Sequence, residues 1–543
     1  MAIFSPRPRT WPRQSAPYRA CGGFDSRRSS LRRYARRPHA RANDQPFGLT
    51  LVRKLPADRD LVVEAGLPLL GIEFFGPPPA GEPDIMGAMA PTAGKQANPP
   101  LTIVFFGLGA VGSSMLICLA ELAERDGIPV RFKVFSIDPA AARDALYHAE
   151  RLMKRIEIIG VPSFDPLLAR DGPEAEKLAG AALLVNAAIP QFNCPIIELG
   201  IRLGAHTLDL ASDMYNPETA SSLTFNQYAH DAALREKGVA ALINMGVSPG
   251  ITNFLIGDQI CRISSEHRKE LEIESIDLYL LEDIDADAVI FSWAPAVALD
   301  ELSQSPLQLR NGRMIVHEPF TAARDYQFPY EPRMWRQYPL YQEELLSLHR
   351  SYPQVEHIGI YTGGSEVELV KALHQLNLLS KETLGANPEL TIEAVVRAAM
   401  PGMKKPRRIE DYLRSGVIRR THFCAAAEIR VSEWVRNERQ TIIETVGLSF
   451  LRYRELLGTP YAGATYISYP TAVGAAILGW HTLCHVRAEP GSIAGVVTGE
   501  DLARMLPRPR IDAVFRDLVA WDIDLFASTR DATGVESGPT TKR

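Results

Sequence analysis

A glycine-rich turn at 107–112 constrains the fold more than any other feature of the sequence. The turn reads Gly-Leu-Gly-Ala-Val-Gly, follows an apolar run at 101–106 and precedes a segment, 111–124, with the apolar spacing of a helix. A strand that enters a helix through such a turn brings main-chain N–H groups and the positive end of the helix dipole to one point, which suits a pyrophosphate. We therefore predict a dinucleotide-binding unit. Its first cofactor contacts are Gly107, Gly109, Ala110, Val111 and Gly112.

The three glycines have separate functions in this prediction. Gly107 permits the tight turn, Gly109 lets the backbone approach the pyrophosphate, and Gly112 lets the helix pack closely on the strand. A glycine turn can also serve packing alone. The repeated strand and helix pattern that follows favours nucleotide binding.

Short apolar runs alternate with helix-like segments as far as residue 264. Gly204 and Gly238 stand where two of the helices would end, since glycine is the usual residue just past a helix C-terminus. This order predicts a Rossmann-type, doubly wound parallel sheet covered by helices. The candidate strands after the first are 131–137, 181–185, 205–210 and 239–244.

The pattern changes after residue 264. Charge-flanked strands are predicted at 271–281 and 357–362, with a helix over 365–379. Ser365 and Glu368 have the spacing of a capping box at the start of that helix. We expect a second, α+β domain with a mainly antiparallel sheet.

The predicted organisation has five parts. The first residues are rich in arginine and nearly free of acidic residues, and like charges that cannot be neutralised locally resist packing. The parts are a disordered Arg- and Pro-rich extension and linker (1–99), a dinucleotide-binding Rossmann domain (100–258), a substrate-binding and dimerisation α+β domain (259–465), a helix that returns to the Rossmann domain (466–500), and a C-terminal segment with a polar tail (501–543).

Composition excludes several classes of function. A net charge of −5 with 23% charged residues gives no general attraction to nucleic acid or to an acidic membrane surface. The six cysteines contain no Cys-x-x-Cys pair, which is typical of reduced thiols in a cytoplasm. No apolar run approaches the roughly 20 residues that cross a bilayer. We expect a cytoplasmic homodimer that binds neither nucleic acid nor membrane.

Asp138 follows the second predicted strand and has two interpretations. An acidic residue there usually accepts hydrogen bonds from the adenosine ribose and repels a 2′-phosphate, which favours NAD over NADP. The same residue could cap the next helix, with Pro139 in its first turn. Arg143 could still serve a 2′-phosphate, so both cofactors remain open.

Two further turns follow predicted strands and are rich in small residues. Small residues leave room for the cofactor's ribose and nicotinamide above the backbone, and Gly250 would free backbone donors at the start of a helix. Ordinary loop geometry would demand the same residues. The candidate cofactor contacts in these turns are Asn186, Ala187, Ala188, Gly246, Pro249 and Gly250.

The order of these motifs resembles that of saccharopine dehydrogenases and their relatives. The resemblance rests on the turns at 107–112 and 184–188, the Leu-Asp-Leu-Ala-Ser-Asp stretch at 208–213 and Gly-x-x-Pro-Gly-x-x-Asn at 246–253. It implies a nicotinamide-dependent interconversion of a secondary amine and an imine, the amine deriving from an amino acid or a polyamine. The chain departs from saccharopine reductases at Val247-Ser248, where an Asp is typical before the Pro, and at Gln342-Glu343, where His-Pro is common.

Hydride transfer of this kind requires one proton to be managed and the substrate to be oriented. For the proton we name Asp213 or Tyr215 as catalytic residues, whereas we expect Asp209 to brace its loop. A substrate carboxylate would be held by a guanidinium group. The candidate substrate contacts are Ser248, Asn253, Arg313 and Arg333.

Two other functions fit the same motifs. One is an NAD-dependent aminoalkyl transferase that resembles homospermidine synthase, in which the cofactor is reduced and reoxidised within one cycle. The other is a non-catalytic, dinucleotide-binding regulatory protein.

His481 and His485 have helical metal-ligand spacing, but no Glu follows the first, and the adjacent Trp480 favours packing over metal binding.

Overall fold

The computed structural model describes residues 100–169, 177–212, 224–266, 271–292, 295–329, 331–385, 390–399, 408–435, 438–531 and 541–542. The extension and linker predicted at 1–99 therefore lie outside the described residues. Within those ranges, no helix combines the length and the hydropathy that a membrane span requires.

The strands and helices are numbered in chain order. The described strands are β1 (Leu101–Phe106), β2 (Val130–Ser136), β3 (Ile156–Gly160), β4 (Ala181–Asn186), β5 (His206–Leu208), β6 (Ala240–Leu242), β7 (Leu271–Ala286), β8 (Leu307–Arg310), β9 (Arg313–Val316), β10 (Arg324–Gln327), β11 (Met334–Pro339), β12 (His357–Gly363), β13 (Ile418–Val435), β14 (Glu438–Phe450), β15 (Gly495–Val497), β16 (Asp524–Asp531) and β17 (Thr541–Lys542). The described α-helices are α1 (Ala110–Arg125), α2 (Pro139–Asp144), α3 (Asp165–Leu168), α4 (Asn193–Leu203), α5 (Asp231–Lys237), α6 (Ile251–Glu266), α7 (Pro295–Ser303), α8 (Glu343–Ser351), α9 (Ser365–Gln375), α10 (Ile392–Ala399), α11 (Ile409–Arg414), α12 (Ser468–Ala488), α13 (Gly499–Met505) and α14 (Arg508–Ala520).

The first sheet is parallel and has the strand order β15-β6-β5-β4-β1-β2-β3. The order reverses beside β1, so β1 and β4 flank the crevice where ligands bind in doubly wound sheets. The predicted Rossmann-type parallel sheet is confirmed. Its outermost strand, β15, was not predicted, because the sequence analysis treated 466–500 as a returning helix.

Helix α12 lies against α1 and is buried on nearly every face. It is rich in alanine and glycine, and a Cβ on Gly479 would lie 2.8 Å from a methyl group of Leu208 in β5, so the glycine lets the helix lie close to the sheet. His481 near its middle is bonded to Asp517 of α14 at 2.7 Å, which accounts for that histidine as a packing residue. Among the described residues, no three His, Cys, Asp or Glu side chains are grouped to hold a metal ion.

The second sheet has the order β10-β11-β12-β7-β13-β14-β16-β17, with β8 joining β12 and β9. Its strands pair antiparallel except β7 and β12, which run parallel. The predicted α+β domain with a mainly antiparallel sheet is confirmed. Strand β16 was not predicted, because it belongs to the segment that the sequence analysis treated as a C-terminal tail.

The sequence predicted two helix C-termini correctly and one capping box wrongly. Gly204 and Gly238 end α4 and α5 with φ of 67° and 72°, as predicted from their sequence positions. The predicted capping box of α9 is wrong, because the Ser365 hydroxyl exchanges hydrogen bonds with the backbone of Ile284 in β7. Glu368 instead accepts from Tyr338 at 2.7 Å. A tertiary contact has replaced the local one.

Candidate active site

The first glycine of the turn between β1 and α1 is required by backbone geometry. Gly107 has φ of +82°, a region that side chains with a Cβ rarely adopt. A Cβ there would also lie 3.0 Å from the Ala188 Cβ and 3.1 Å from the Ala187 carbonyl oxygen. The turn after β1 and the turn after β4 therefore lie directly against each other.

The third glycine permits the same contact from the helix side. A Cβ on Gly112 would lie 2.9 Å from the Ala187 Cβ, closer than real side chains approach. Helix α1 is therefore seated against the turn after β4. The predicted contacts Gly107, Gly112, Ala187 and Ala188 form one continuous surface.

The middle glycine faces open space. Gly109 has φ of −96°, and a Cβ added to it would meet no heavy atom within 4 Å. Gly109 is the N-cap of α1 and provides no side-chain cap, so the first N–H groups of the helix, starting at Ala110 and Val111, have no partner within it. An uncapped helix start beside open space is the arrangement that binds a phosphate.

Two exposed apolar side chains flank this turn. Ile137 follows β2 and is 68% exposed, and Ile189 follows β4 and is 52% exposed. Strands β2 and β4 are the two neighbours of β1. Exposed apolar side chains at this edge suit an aromatic base, so the residues present fit an adenine dinucleotide.

Asp138 caps α2. One of its carboxylate oxygens accepts hydrogen bonds from the N–H groups of Ala140 at 3.1 Å and Ala141 at 2.9 Å. The structure therefore contains the helix-capping contact, which is one of the two interpretations of Asp138. A contact of the exposed Asp138 with the ribose of NAD stays a prediction.

Asn186 shapes the turn after β4. Its side-chain N–H group donates to Asn193 at 2.6 Å and to the Ile189 carbonyl at 2.9 Å, while its oxygen accepts from the Ala188 N–H at 3.1 Å. The amide N–H groups and the oxygen of Asn186 are therefore bonded to partners inside the protein. Asn186 therefore holds Ala188 against the glycine turn, and its predicted cofactor contact stays a prediction.

A buried polar network closes the ends of β5 and β6. Asp209 is 4% exposed and accepts from the Asn244 N–H at 2.8 Å, and burial raises its pKa to about 7. The Ser212 hydroxyl donates to the Asn244 side chain at 2.8 Å and accepts from Gln227 at 2.8 Å. Asp209 thus braces its loop, while Asp213 and Tyr215, the predicted catalytic residues, lie outside the described residues.

The turn at 246–250 is closed by its own hydrogen bonds. Its Ser248-Pro249 peptide bond is cis, and Gly250 has φ of +131°. The N–H of Ile251 donates to the Gly246 carbonyl at 3.0 Å, and the N–H of Gly250 donates to Asn253. The prediction that Gly250 frees backbone donors for a ligand is wrong, because the turn bonds these donors internally.

We expect Gly250→Ala to destabilise the protein by about 3 kcal/mol or more, the upper range for one strained residue combined with an overpacked contact. A Cβ at this position would lie 2.2 Å from the Gly246 carbonyl oxygen, so the turn would have to move. Urea unfolding followed by circular dichroism measures the change. Gly312→Ala is the matched control, since Gly312 also has positive φ but a Cβ there meets no atom within 4 Å. Equal losses in the two variants would contradict the proposed overpacking.

Two predicted substrate contacts join this turn to the second domain. Asn253 is 2% exposed and donates to Ser347 of α8 at 3.1 Å, so both of its polar atoms are bonded inside the protein. The Ser248 hydroxyl donates to Glu344 of the same helix. Asn253 therefore holds the turn and α8 together. Ser248 contacts an ionisable group, the carboxyl of Glu344.

Helix α8 contributes two acids that the sequence analysis did not select. Glu343 is 5% exposed, accepts from the Ser212 N–H at 3.0 Å, and burial raises its pKa to about 7. Glu344 is fully buried, and burial raises its pKa to about 8. The carboxyl edge of the parallel sheet thus faces two buried carboxyl groups from the second domain.

Comparisons with known proteins bear on this arrangement. No family model matches the chain. The apo, histidine-tagged saccharopine dehydrogenase (L-Glu forming) from Saccharomyces cerevisiae superimposes with a TM-score of 0.53 over 79% of this chain and 100% of that chain, at 15% identity. The chain has the fold of saccharopine dehydrogenase. The resemblance predicted from the sequence motifs is confirmed in this respect.

A curated relative matches part of the chain by sequence. It is the carboxyaminopropylagmatine dehydrogenase of Synechocystis sp. (strain ATCC 27184 / PCC 6803 / Kazusa), 25% identical over 192 residues. The match covers 34% of this chain and 45% of the relative, so the chain spans less than half the length of the relative that it matches.

Within the saccharopine dehydrogenase fold, the two predicted arginines do not join the buried acids. Arg313 is exposed in the hairpin of β8 and β9, opposite Arg310. The Arg333 guanidinium lies 4.0 Å from the centre of the Trp335 ring. Sequence alone could not show this, because an arginine in a loop does not reveal which face of the sheet it occupies. Their contact with a substrate carboxylate stays a prediction.

The raised pKa of Glu343 predicts a pH-dependent stability difference. Because its folded-state pKa, about 7, lies above that of an unfolded glutamate, the folded state binds the proton more tightly. Its contribution is most favourable below the unfolded pKa and is lost as pH rises through 7. We expect the wild type to lose stability relative to Glu343→Gln between pH 5 and pH 8. Urea unfolding of both proteins at several pH values measures this, and a pH-independent difference would contradict it.

Proposed function

We propose that the protein is a nicotinamide-dependent dehydrogenase that interconverts a secondary amine and an imine, the amine deriving from an amino acid or a polyamine. The observation that carries this proposal is the open space at Gly109, beside the uncapped start of α1. The saccharopine dehydrogenase fold supports it, as does the relative whose name describes a dehydrogenase of an agmatine derivative.

The residues of the first domain would hold the dinucleotide. The first N–H groups of α1 would bind the pyrophosphate, while Ile137 and Ile189 would contact the base. Asp138 uses one carboxylate oxygen for its cap, and the other would accept from the ribose, which favours NAD. The bound nicotinamide would supply or accept the hydride.

Glu343 is the residue we propose for the proton of the amine. A carboxyl group with a pKa of about 7 can accept or release a proton near neutral pH, which an exposed glutamate does poorly. Its bond to the Ser212 N–H fixes it beside the loop that follows β5. Asp213, which follows Ser212 directly in sequence, and Tyr215, two residues further on, remain alternative proton carriers.

The test is an absorbance assay with the purified full-length chain. NAD and a panel of secondary amines derived from amino acids and from polyamines are mixed with the protein, and NADH formation is followed in the near ultraviolet. A net, enzyme-dependent increase supports the proposal. Turnover of an amine without net formation of NADH, or binding of NAD with no turnover across the panel, would contradict it.

A further inference from the structure

The first residues of α8 contact two loops at the carboxyl edge of the parallel sheet. Strands β5 and β6 are parallel neighbours, so the loops that follow them lie side by side at this edge. Glu343 accepts from the N–H of Ser212 in the loop after β5, and Glu344 accepts from the hydroxyl of Ser248 in the turn after β6. Doubly wound sheets bind their ligands outside the carboxyl ends of their strands. Both contacts therefore lie where a substrate is expected.

Ser248 and Glu344 differ in their access to a ligand. Glu344 is fully buried, so its carboxyl group cannot touch a molecule in solvent. Ser248 is partly exposed, and it is the one residue of 241–250 that is not buried. The other side chain that bonds to this carboxyl among the described residues is Thr252, at 3.4 Å, and Thr252 is itself buried. A molecule bound at the turn would therefore meet Ser248, with the carboxyl of Glu344 behind it.

The protonation state of Glu344 decides the direction of the Ser248 hydroxyl. A hydroxyl has one hydrogen and two lone pairs, and an ionised carboxylate only accepts. When Glu344 is ionised, Ser248 gives its hydrogen to the carboxylate and presents lone pairs to a ligand. When Glu344 carries a proton, it can donate that proton to Ser248, whose own hydrogen is then free. Ser248 is thus an acceptor for a ligand in the first state and a donor in the second.

The surroundings of Glu344 place this change of state near neutral pH. Burial raises the pKa of Glu344 to about 8, and the hydrogen bond from Ser248 opposes the rise. Among the described residues, the titratable groups that face it are Glu343 on its own helix, Glu500 of α13 and Glu301 of α7. All three are carboxyls, and a negative charge on any of them favours the protonated form of Glu344. A positively charged donor at Ser248 would favour the ionised form.

A protonated secondary amine needs two acceptors at its nitrogen, because it has two N–H donors and no lone pair. Glu343 would take one proton, as in the proposed function, and the other N–H would donate to Ser248. When the neighbouring carbon gives its hydride to the nicotinamide, the lone pair that the departing proton left on nitrogen forms the C=N bond. The second N–H stays on the iminium product. Its positive charge then lies one hydroxyl away from the Glu344 carboxylate.

We propose that Ser248 binds the reacting nitrogen of the substrate as a hydrogen-bond acceptor, and that Glu344 is a positioning residue that fixes the direction of the Ser248 hydroxyl. This inference rests on the proposed function and adds a second contact to the nitrogen that reacts. Preorganised groups aimed at a developing charge stabilise the transition state, and here the charge develops on nitrogen. A plain brace between the turn and α8 needs no ionisable group. Ser347 of α8 is such a brace, since it accepts from Asn253 at 3.1 Å.

Calorimetric titration of the full-length chain with N-methylbutylamine at pH 7 and pH 9 tests the proposal. This secondary amine is protonated at both pH values. The ionised fraction of a group with a pKa of about 8 rises about tenfold between them, so the wild type should bind the amine at least about tenfold more tightly at pH 9. In Glu344→Gln and in Ser248→Ala the change should be about twofold or less, the part that Glu343, with a pKa of about 7, can contribute. No binding by the wild type, or the same pH dependence in either variant, would overturn the proposal.

A double-mutant cycle shows whether the two residues act together. If Glu344 acts through Ser248, the variant with both substitutions should lose no more affinity for the amine than Ser248→Ala alone. Additive losses would overturn the proposal, because they would show that the two residues act independently.

Ser347→Ala is the control for a structural effect. It removes the bond from Asn253 that joins the same turn to α8, so it should lower the unfolding temperature and keep the wild-type pH dependence of amine binding. Loss of the pH dependence in Ser347→Ala would overturn the positioning role, since any weakening of the contact between the turn and α8 would then have the same effect.

The near-ultraviolet assay separates this inference from the proposed function. Amine binding that depends on Ser248, without NADH formation across the amine panel, would contradict the dehydrogenase and leave the amine site supported. NADH formation by a wild type whose amine binding ignores Ser248 and Glu344 would leave the dehydrogenase supported and overturn the positioning role.

Discussion

The Gly109→Val variant should bind NAD at least about 100-fold more weakly than the wild type, a loss of about 2.7 kcal/mol. A valine fits the apo protein, because Gly109 has φ of −96° and its Cβ direction points into open space. The same space is where the pyrophosphate would approach the backbone, so the branched side chain would block the ligand and not the fold. Calorimetric titration with NAD measures the loss.

The neighbouring glycine supplies the control for this experiment. A Cβ on Gly112 would lie 2.9 Å from Ala187, so Gly112→Val should lower the unfolding temperature clearly more than Gly109→Val, which replaces an N-cap glycine but meets no atom. If Gly109→Val kept full affinity for NAD, or if both variants unfolded alike, the assignment of the pyrophosphate site would be wrong.

We expect Glu343→Gln to lower kcat by about 10²- to 10⁴-fold, the range that general acid–base catalysis contributes. Glutamine keeps the size of the side chain and can still accept from the Ser212 N–H, but it cannot take up a proton. The affinity for NAD should not change, because the proposed pyrophosphate contacts are main-chain N–H groups of α1 and the substitution keeps the size of the side chain. Steady-state kinetics and NAD titration of the variant measure both quantities.

The pH profile distinguishes a proton carrier from a structural residue. In the direction of amine oxidation the wild-type rate should rise as pH increases through about 7, where Glu343 loses its proton, and the rise should be absent in Glu343→Gln. Glu157→Gln, which removes an exposed acid on β3, should retain the wild-type profile. A variant that keeps the wild-type kcat, or one that loses kcat and keeps the pH dependence, would exclude Glu343 as the proton carrier.

The sequence was sufficient for features that depend on neighbouring residues. The glycine turn at 107–112 and the helix ends at Gly204 and Gly238 are local backbone requirements, so they can be read from residue types alone. Strands β15 and β16 could not be predicted in the same way. β15 pairs with β6 and β16 pairs with β14, partners that lie far away in sequence. A three-residue strand such as β15 also carries almost no periodic signal.

The residues of the candidate site show the same difference between local features and features that depend on the fold. Residues at the ends of β1 and β4 were found because they follow their strands directly. Glu343 and Glu344 were missed, because only the fold brings α8 to the ends of β5 and β6. Asn253 was selected from a motif but is bonded inside the protein, and no sequence pattern distinguishes a brace from a ligand contact.

The central claim is that the open turn at Gly109 binds a dinucleotide, and a crystal structure of the protein with NAD tests it most directly. The account predicts the pyrophosphate within hydrogen-bond distance of the main-chain N–H groups at the start of α1, with the nicotinamide directed towards Glu343. A dinucleotide bound elsewhere, with the turn at Gly109 empty, would contradict it.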